Sequence, residues 1–514
     1  MDLASFKELS AKVNSSLILQ TTLGVAVLSH LYRSWRNRID VPTYGGILSF
    51  SRLLSTVRLA MEGGDIWRTS YAKYPMILVP SPERWAVVVR GKYIDELSRA
   101  PDDVLSFTEA THDSLRLRYS LGTTTAEEHE YHIHVVRQNL TKRLPALFPE
   151  VYDEVIHAFG EDLQFDGAEW KEVEFLSWII PVVAKASNRV FVGLPLCRDK
   201  EWLSLVIDGA VSCIKTAAII NLFPEFMHPI VGPLISKVQS RKRKAAELAR
   251  YLIDDRLKLA PEDRPDDYIS WLLSAAPPEE QNAEDITQRI ISTNFAAIHT
   301  SSLNMTHTIY WLLSRPEYLD PLREEIESVT SQMGWTKAAI SSMPKLESFM
   351  KESMRLSPLA PHTMNRKVVK PFTFSNGVSL PVGATVGIHL YATQVDEDYY
   401  PEPLQFKGFR FVEEENGDHK EAENVASLKS RNSMYAISRS YLGFSYGRHA
   451  CPGRFFASME LKTMFAYLIA NYDMKWPDSV SNGKDGYRPA DIWMGAGLIP
   501  DPKGRILIRE RSQW

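Results

Sequence analysis

Apolar residues recur along this chain mostly at helical spacing. Long apolar-periodic stretches with few breakers cover residues 127–144, 171–190, 284–313 and 346–356, and each predicts a helix with a buried face. Strand-like runs are short: Trp85–Val89, Val368–Phe374, Ala384–Ile388 and Arg505–Arg509. Asn376-Gly377, inside Phe374-Ser375-Asn376-Gly377-Val378, is a strong hairpin signal, because a tight turn needs the left-handed backbone that Asn and Gly accept readily. Pro277-Pro278 and the polar run 278–285 break the chain ahead of the longest helix, and the acidic, polar segment Glu413–Ser430 predicts an exposed loop. The pattern as a whole predicts a mainly α fold with a minor β region.

Composition narrows the picture. A chain of 514 residues, 44% of them hydrophobic, can bury a large core, and a formal net charge of -4 argues against nucleic-acid binding. The 3 cysteines are widely spaced, which fits neither a disulfide framework nor a zinc finger and predicts a reducing compartment. Near the N-terminus, Ser15 to Tyr32 contains no Asp, Glu, Lys or Arg and is followed by Arg33, Arg36 and Arg38. Basic residues after the apolar run, rather than before it, oppose a cleaved signal peptide. They predict a single-pass signal anchor at about 15–32 with a cytosolic domain behind it. Residues 1–40 are then the anchor segment and 41–514 the globular domain, entered through the Pro/Gly hinge Val41-Pro42-Thr43-Tyr44-Gly45-Gly46.

Candidate chemistry concentrates in Phe444-Ser445-Tyr446-Gly447-Arg448-His449-Ala450-Cys451-Pro452-Gly453-Arg454. A thiolate can hold haem iron and push electron density toward bound oxygen. Gly447 and Gly453 permit positive φ and close backbone approach, and Pro452 suits a first helical turn, which would set Cys451 at a helix N-terminus. Phe444 can shield the sulfur, and Arg448 and His449 can meet a propionate. Cys197 and Cys213 lack such surroundings and are expected to be small buried hydrophobes. Glu127-Glu128-His129-Glu130-Tyr131-His132-Ile133-His134 lacks the H-E-x-x-H zinc spacing and reads as a solvated helix entry.

The cysteine stretch resembles the cytochrome P-450 signature F-x-x-G-x-R-x-C-x-G. Phe444, Gly447, Cys451 and Gly453 match, and His449 stands where arginine is usual. The resemblance implies the P-450 fold over about residues 41–514, haem b (iron protoporphyrin IX) on Cys451, and O2 activation with NADPH-derived electrons from a reductase. It implies further sites. Glu352-Ser353-Met354-Arg355 resembles the E-x-x-R motif, whose buried structural triad Arg410 completes. Ala296-Ala297-Ile298-His299-Thr300-Ser301 resembles the distal A-G-x-[DE]-T-T, with Ala296 and Thr300 matching and His299 replacing the acid. Thr300 is then the catalytic hydroxyl, and His299 is either a proton-relay partner or a histidine satisfied in the core. Arg137, in the position of a W-x-x-x-R arginine whose tryptophan is here Ile133, and Arg366 become propionate partners.

The implied substrate walls contain Phe107, Tyr119, Ala296, Leu303, Met364, Met494 and Leu498, an apolar set suited to a lipophilic small molecule. The distal and cysteine segments resemble fungal members near ent-kaurene oxidase and the indole-diterpene oxidases. That implies secondary metabolism, a terpenoid, diterpenoid or meroterpenoid substrate, and residence in the endoplasmic reticulum membrane beside the reductase and the lipid bilayer. Two alternatives stay open: a haem–thiolate isomerase or dehydratase acting on a peroxide, which the retained Thr300 disfavours, and a non-catalytic haem sensor.

Overall fold

The computed structural model describes residues 39–43, 73–80, 85–122, 129–162, 169–412, 432–481, 486–494 and 497–511. The expected anchor at about 15–32 and the loop Glu413–Ser430 lie outside them. In chain order, β1 (Met76–Pro80), β2 (Trp85–Val89) and β3 (Leu105–Ser106) precede α1 (Phe107–Leu115). Then α2 (Tyr131–Val135) runs through a π turn (Val136–Leu140) into α3 (Thr141–Asp162). Next come β4 (Lys171–Glu174), α4 (Phe175–Phe191), α5 (Lys200–Asn221), α6 (His228–Ile235), α7 (Val238–Leu257) and α8 (Ala283–Ser314). The C-terminal part adds α9 (Pro344–Leu356), β5 (His362–Val368), β6 (Phe372–Thr373), β7 (Ser379–Leu380), β8 (Thr385–His389), α10 (Arg454–Asn471), β9 (Tyr472–Lys475), β10 (Ile492–Met494), β11 (Gly497–Ile499) and β12 (Arg505–Glu510). The mainly helical fold with small sheets is the one expected.

Local chemistry explains the boundaries. Helix α8 starts where Asn282 Oδ1 accepts the Asp285 N–H at 2.9 Å, with Glu284 and Asp285 placed favourably in the first turn. The helix expected to end at 144 continues to Asp162. Its apolar period does not stop: Leu144, Leu147, Phe148, Val151, Val155, Ala158 and Phe159 are all buried. Residues 171–174 are not helical as expected. They alternate in burial and pair with β12, so the helix begins only at Phe175. The expected strand Val368–Phe374 divides into β5 and β6, because Pro371 between them lacks the N–H that a ladder requires. The Asn376-Gly377 turn closes β6 on β7, with Gly377 at φ 86.

Helix α8 lies within the larger core and packs on α4, α5 and α7. A second core fills one side of a five-stranded sheet of order β1-β2-β8-β5-β3, in which β2 and β8 run parallel. Strand β5 is irregular between Thr363 and Arg366, where Met364 takes φ 56. That bulge turns residues 362–365 toward the site described below.

One buried acid links the fold to pH. Glu460 of α10 is fully buried and accepts the Ser187 hydroxyl at 2.6 Å on Oε1, while Oε2 has no hydrogen-bond partner among the described residues. Burial pushes its pKa from 4.5 up to about 8. The folded chain keeps a proton that the unfolded chain releases, so this group makes stability fall as pH rises from about 4.5 to about 8. Glu460→Gln should flatten that part of the stability profile, measured by denaturant midpoints across the range. An identical slope in the variant would refute the assignment.

Candidate active site

The loop before α10 is shaped by two left-handed residues, Ser445 (φ 64) and Gly447 (φ 76). Gly447 is required on a second ground, because a Cβ there would approach Ser98 Cβ at 3.1 Å. The turn closes when the Cys451 N–H donates to Phe444 O at 2.9 Å and the Ala450 N–H to Gly447 O at 3.1 Å. Gly453, expected to need positive φ, has φ -87 and acts as the N-cap of α10. Pro452 accordingly precedes the cap instead of opening the helix. The sulfur of Cys451 still meets the helix start. Burial raises its thiol pKa, while the backbone N–H groups of Gly453 and Arg454 and the Arg454 charge lower it. Cys197 and Cys213 are fully buried, and desolvation pushes their thiols to about 12 and about 11.

Facing this loop across a cavity of about 1020 Å³ is α8. Cys451, Phe444 and Ala450 line one side, and Ala296, Thr300 and Asn304 the other. The Thr300 hydroxyl donates to Ala296 O at 2.7 Å, with Ala297 O at 3.2 Å. Its oxygen keeps lone pairs to accept from the cavity. One turn later, Asn304 Nδ2 donates to Thr300 O at 2.9 Å. His299 is not among the lining side chains. Its Nε2–H donates to Ile207 O of α5 at 3.1 Å, the arrangement of a histidine satisfied in the core.

Cationic groups gather at one edge of the cavity. Arg137, in the π turn, donates from Nη2 to Arg448 O at 3.4 Å. Arg448 donates to Ala100 O and lies 3.3 Å from Asp102. His449 Nε2–H donates to Asp102 Oδ1 at 2.7 Å, and the His449 ring stacks on Phe107 with centroids 5.2 Å apart. Arg366, 1% exposed, sits over the same Phe107 ring at 5.5 Å. Among the described residues the one hydrogen bond of its guanidinium is from Nη1 to Asn365 O. Burial pulls the Arg366 pKa down to about 10, with Asp102 raising it and Arg448 lowering it. A buried guanidinium so short of anionic partners, a cysteine whose thiolate is favoured by nearby backbone N–H groups and a cavity lined by both Cys451 and Thr300 together fit an iron porphyrin carrying propionates.

Behind the loop lies a buried ionic network. Glu352 receives Arg355 Nε and Nη2, each at 2.8 Å, and Arg410 Nε at 3.1 and 3.2 Å, with the Lys407 N–H at 3.1 Å. The remaining guanidinium protons reach carbonyls of Gln394, Pro401 and Pro403. Gln394 then bridges to the cysteine segment, donating to Arg355 O at 3.0 Å and accepting the Leu442 N–H at 3.1 Å.

The expected substrate walls are met unevenly. Phe107, Ala296 and Met364 line the cavity. Tyr119 does not; its ring covers Gly232 of α6, where a Cβ would come within 2.4 Å of it. Leu303 packs into the helical core, and Leu498 is buried in β11 with its N–H on Leu359 O at 3.1 Å. Met494 lies at the end of β10. The sequence reading missed the roof: Ile214, Ala217, Ala218 and Asn221 of α5. Arg116 Nε donates to Asn221 Oδ1 at 2.6 Å and Asn221 Nδ2 to Ser114 O at 2.9 Å, which ties α5 to the end of α1. The apolar run of α5 is visible in the sequence, but nothing there says which face meets a cavity.

Comparison with known proteins agrees with this geometry. The family model described as cytochrome P450 matches residues 41–493. Cytochrome P450 monooxygenase 151 of Postia placenta is 36% identical over 481 residues, covering 92% of this chain and 94% of the relative. Cytochrome P450 monooxygenase 71 of the same fungus is 39% identical, covering 92% and 93%. A protein named ent-kaurene oxidase P450-4, from Gibberella fujikuroi, is 30% identical, again covering 92% and 93%.

Proposed function

The chain belongs to the cytochrome P450 monooxygenase family, and on that premise we propose that it oxidises a lipophilic terpenoid, diterpenoid or meroterpenoid in fungal secondary metabolism, with electrons from an NADPH-dependent reductase. The observation that carries the reading is that Cys451 and Thr300 line one cavity. When bound, haem b held by Cys451 supplies reductive activation of O2 and insertion of one oxygen atom into the substrate. The chain supplies the rest. Arg137, Arg366 and His449 are the proposed propionate partners, and Phe444 shields the sulfur. Thr300 holds a proton at Oγ1 and passes it toward the distal side, refilled through water in the cavity. His299, bonded to Ile207 O, has no direct line to that water and acts at most through the helix. The terpenoid assignment is supported by the ent-kaurene oxidase relatives and by a cavity whose roof is formed by the apolar Ile214, Ala217 and Ala218.

The proposed setting is the endoplasmic reticulum membrane, with residues 1–40 as anchor and 41–514 as cytosolic catalytic domain. Supporting contact with a bilayer, the end of α5, the turn after it and α6 expose Leu222, Phe226, Ile230 and Leu234, the second and fourth of these by 79%. Helix α5 is also the one helix among the described residues long and apolar enough to cross a membrane by length and composition, although 39% of its apolar window is buried in the fold.

Reconstitution with reductase and NADPH tests the reading. Oxidation should require both, and a turnover indifferent to NADPH would sink it. Thr300→Ala should keep haem while product per NADPH falls by about 10-fold or more, the excess electrons appearing as hydrogen peroxide. Tight coupling in that variant would remove Thr300 from proton delivery.

A further inference from the structure

Asp102 was not foreseen from the motif. It is 347 residues from His449 in sequence, yet accepts from its Nε2 at 2.7 Å and lies 3.3 Å from Arg448. Its mount is rigid. The turn that carries it is closed by the Val104 and Leu105 N–H groups on Pro101 O, each at 2.9 Å. The turn runs directly into β3, which pairs Leu105 with Val368 and Ser106 with Lys367 of β5, the strand that bears Arg366. The pairing holds the Asp102 turn beside β5. The His449 ring is fixed on one edge by the carboxylate and on one face by Phe107, whose ring also lies under Arg366. A solvent-exposed ion pair contributes little by itself. Here one carboxylate serves the Arg448 cation and the His449 imidazole together and sets the direction of a ring at the cavity edge.

We infer that Asp102 is a positioning residue for the haem edge, acting through His449 and Arg448. The inference rests on the haem reading above and goes beyond it by adding a carboxylate to the arginines and the histidine already assigned there. Without Asp102 the imidazole is free to rotate off the cavity rim, and Arg448 loses its carboxylate partner. Outer partners of this kind typically control cofactor affinity by about 10–100-fold.

The test uses the full-length holoenzyme and apomyoglobin as haem acceptor. Asp102→Ala should lose haem about 10-fold faster than wild type and shift the haem midpoint potential. Asp102→Asn, whose amide oxygen still accepts from Nε2–H, should recover most of both. In a His449→Ala background the effect of Asp102→Ala should shrink to the part that Arg448 carries. Equal haem loss and potential in wild type and Asp102→Ala would overturn the inference, as would an equally large effect without His449. Should His449→Ala not fold, the comparison of Asn with Ala at 102 decides alone. The reduced carbonyl spectrum separates the two levels. A wild type without the thiolate band overturns the haem reading and this inference together, whereas a normal band in every variant with unchanged haem loss overturns only the role of Asp102.

Discussion

Cys451→Ser should abolish the red-shifted Soret band of the reduced, carbonyl-bound protein and lower substrate oxidation by at least about 10³-fold, which corresponds to about 4 kcal/mol of transition-state stabilisation. The reason lies in the ligand. A thiolate donates electron density to the iron strongly enough to favour O–O cleavage, and a serine oxygen at the same place does not. The setting of Cys451 reinforces the difference. The backbone N–H groups of Gly453 and Arg454 and the Arg454 charge favour its thiolate against the effect of burial at the head of α10. Measurement needs only the difference spectrum and a turnover assay on matched haem. An unchanged spectrum would place the ligand elsewhere.

Glu352→Ala should have the second largest effect, on folding rather than on chemistry. The carboxylate is fully buried and meets two guanidiniums and the Lys407 N–H. Its removal leaves Arg355 and Arg410 as buried cations joined only to carbonyls. Breaking a buried pair in this way costs about 3–5 kcal/mol, a large share of the about 5–15 kcal/mol that holds a typical protein folded. Haem-containing protein should fall several-fold in yield, read from the carbonyl spectrum per unit of total protein. Glu352→Gln should do almost as badly, because a neutral amide cannot balance two positive charges. A Glu352→Ala protein with wild-type haem content and unfolding midpoint would show that the network is dispensable. The effect should reach Cys451 through Gln394, which binds Arg355 O on one side and the Leu442 N–H on the other.

What was legible in the sequence divides by distance along the chain. The cysteine loop could be read because its parts are contiguous. Turn glycines, helix start and sulfur fall within eleven residues, and local backbone chemistry fixes their relation. Even there, φ at Gly453 and the true position of Pro452 were set by where α10 began, which depends on packing. The partners of Glu352 were found by resemblance, since Arg410 lies 58 residues away and no local rule points to it. Asp102 gave no signal at all, because an aspartate in a polar turn is the commonest kind of aspartate. His299 illustrates a third limit. Helical spacing places it beside Thr300 but does not say which neighbour it meets, and the Ile207 carbonyl of α5 supplied the answer. Segment 171–174, Lys-Glu-Val-Glu, was misread because a short polar stretch abutting an apolar helix looks like its first turn until a partner strand, β12, is known.

The left-handed pair Ser445 and Gly447, with the Cys451 N–H on Phe444 O, has a thermodynamic corollary. A segment already held in its final shape carries its conformational entropy loss as part of folding, so the incoming porphyrin meets a ready receptor and need not order one. Affinity at such a socket is then governed by how fast the guest escapes, not by how slowly the host adapts.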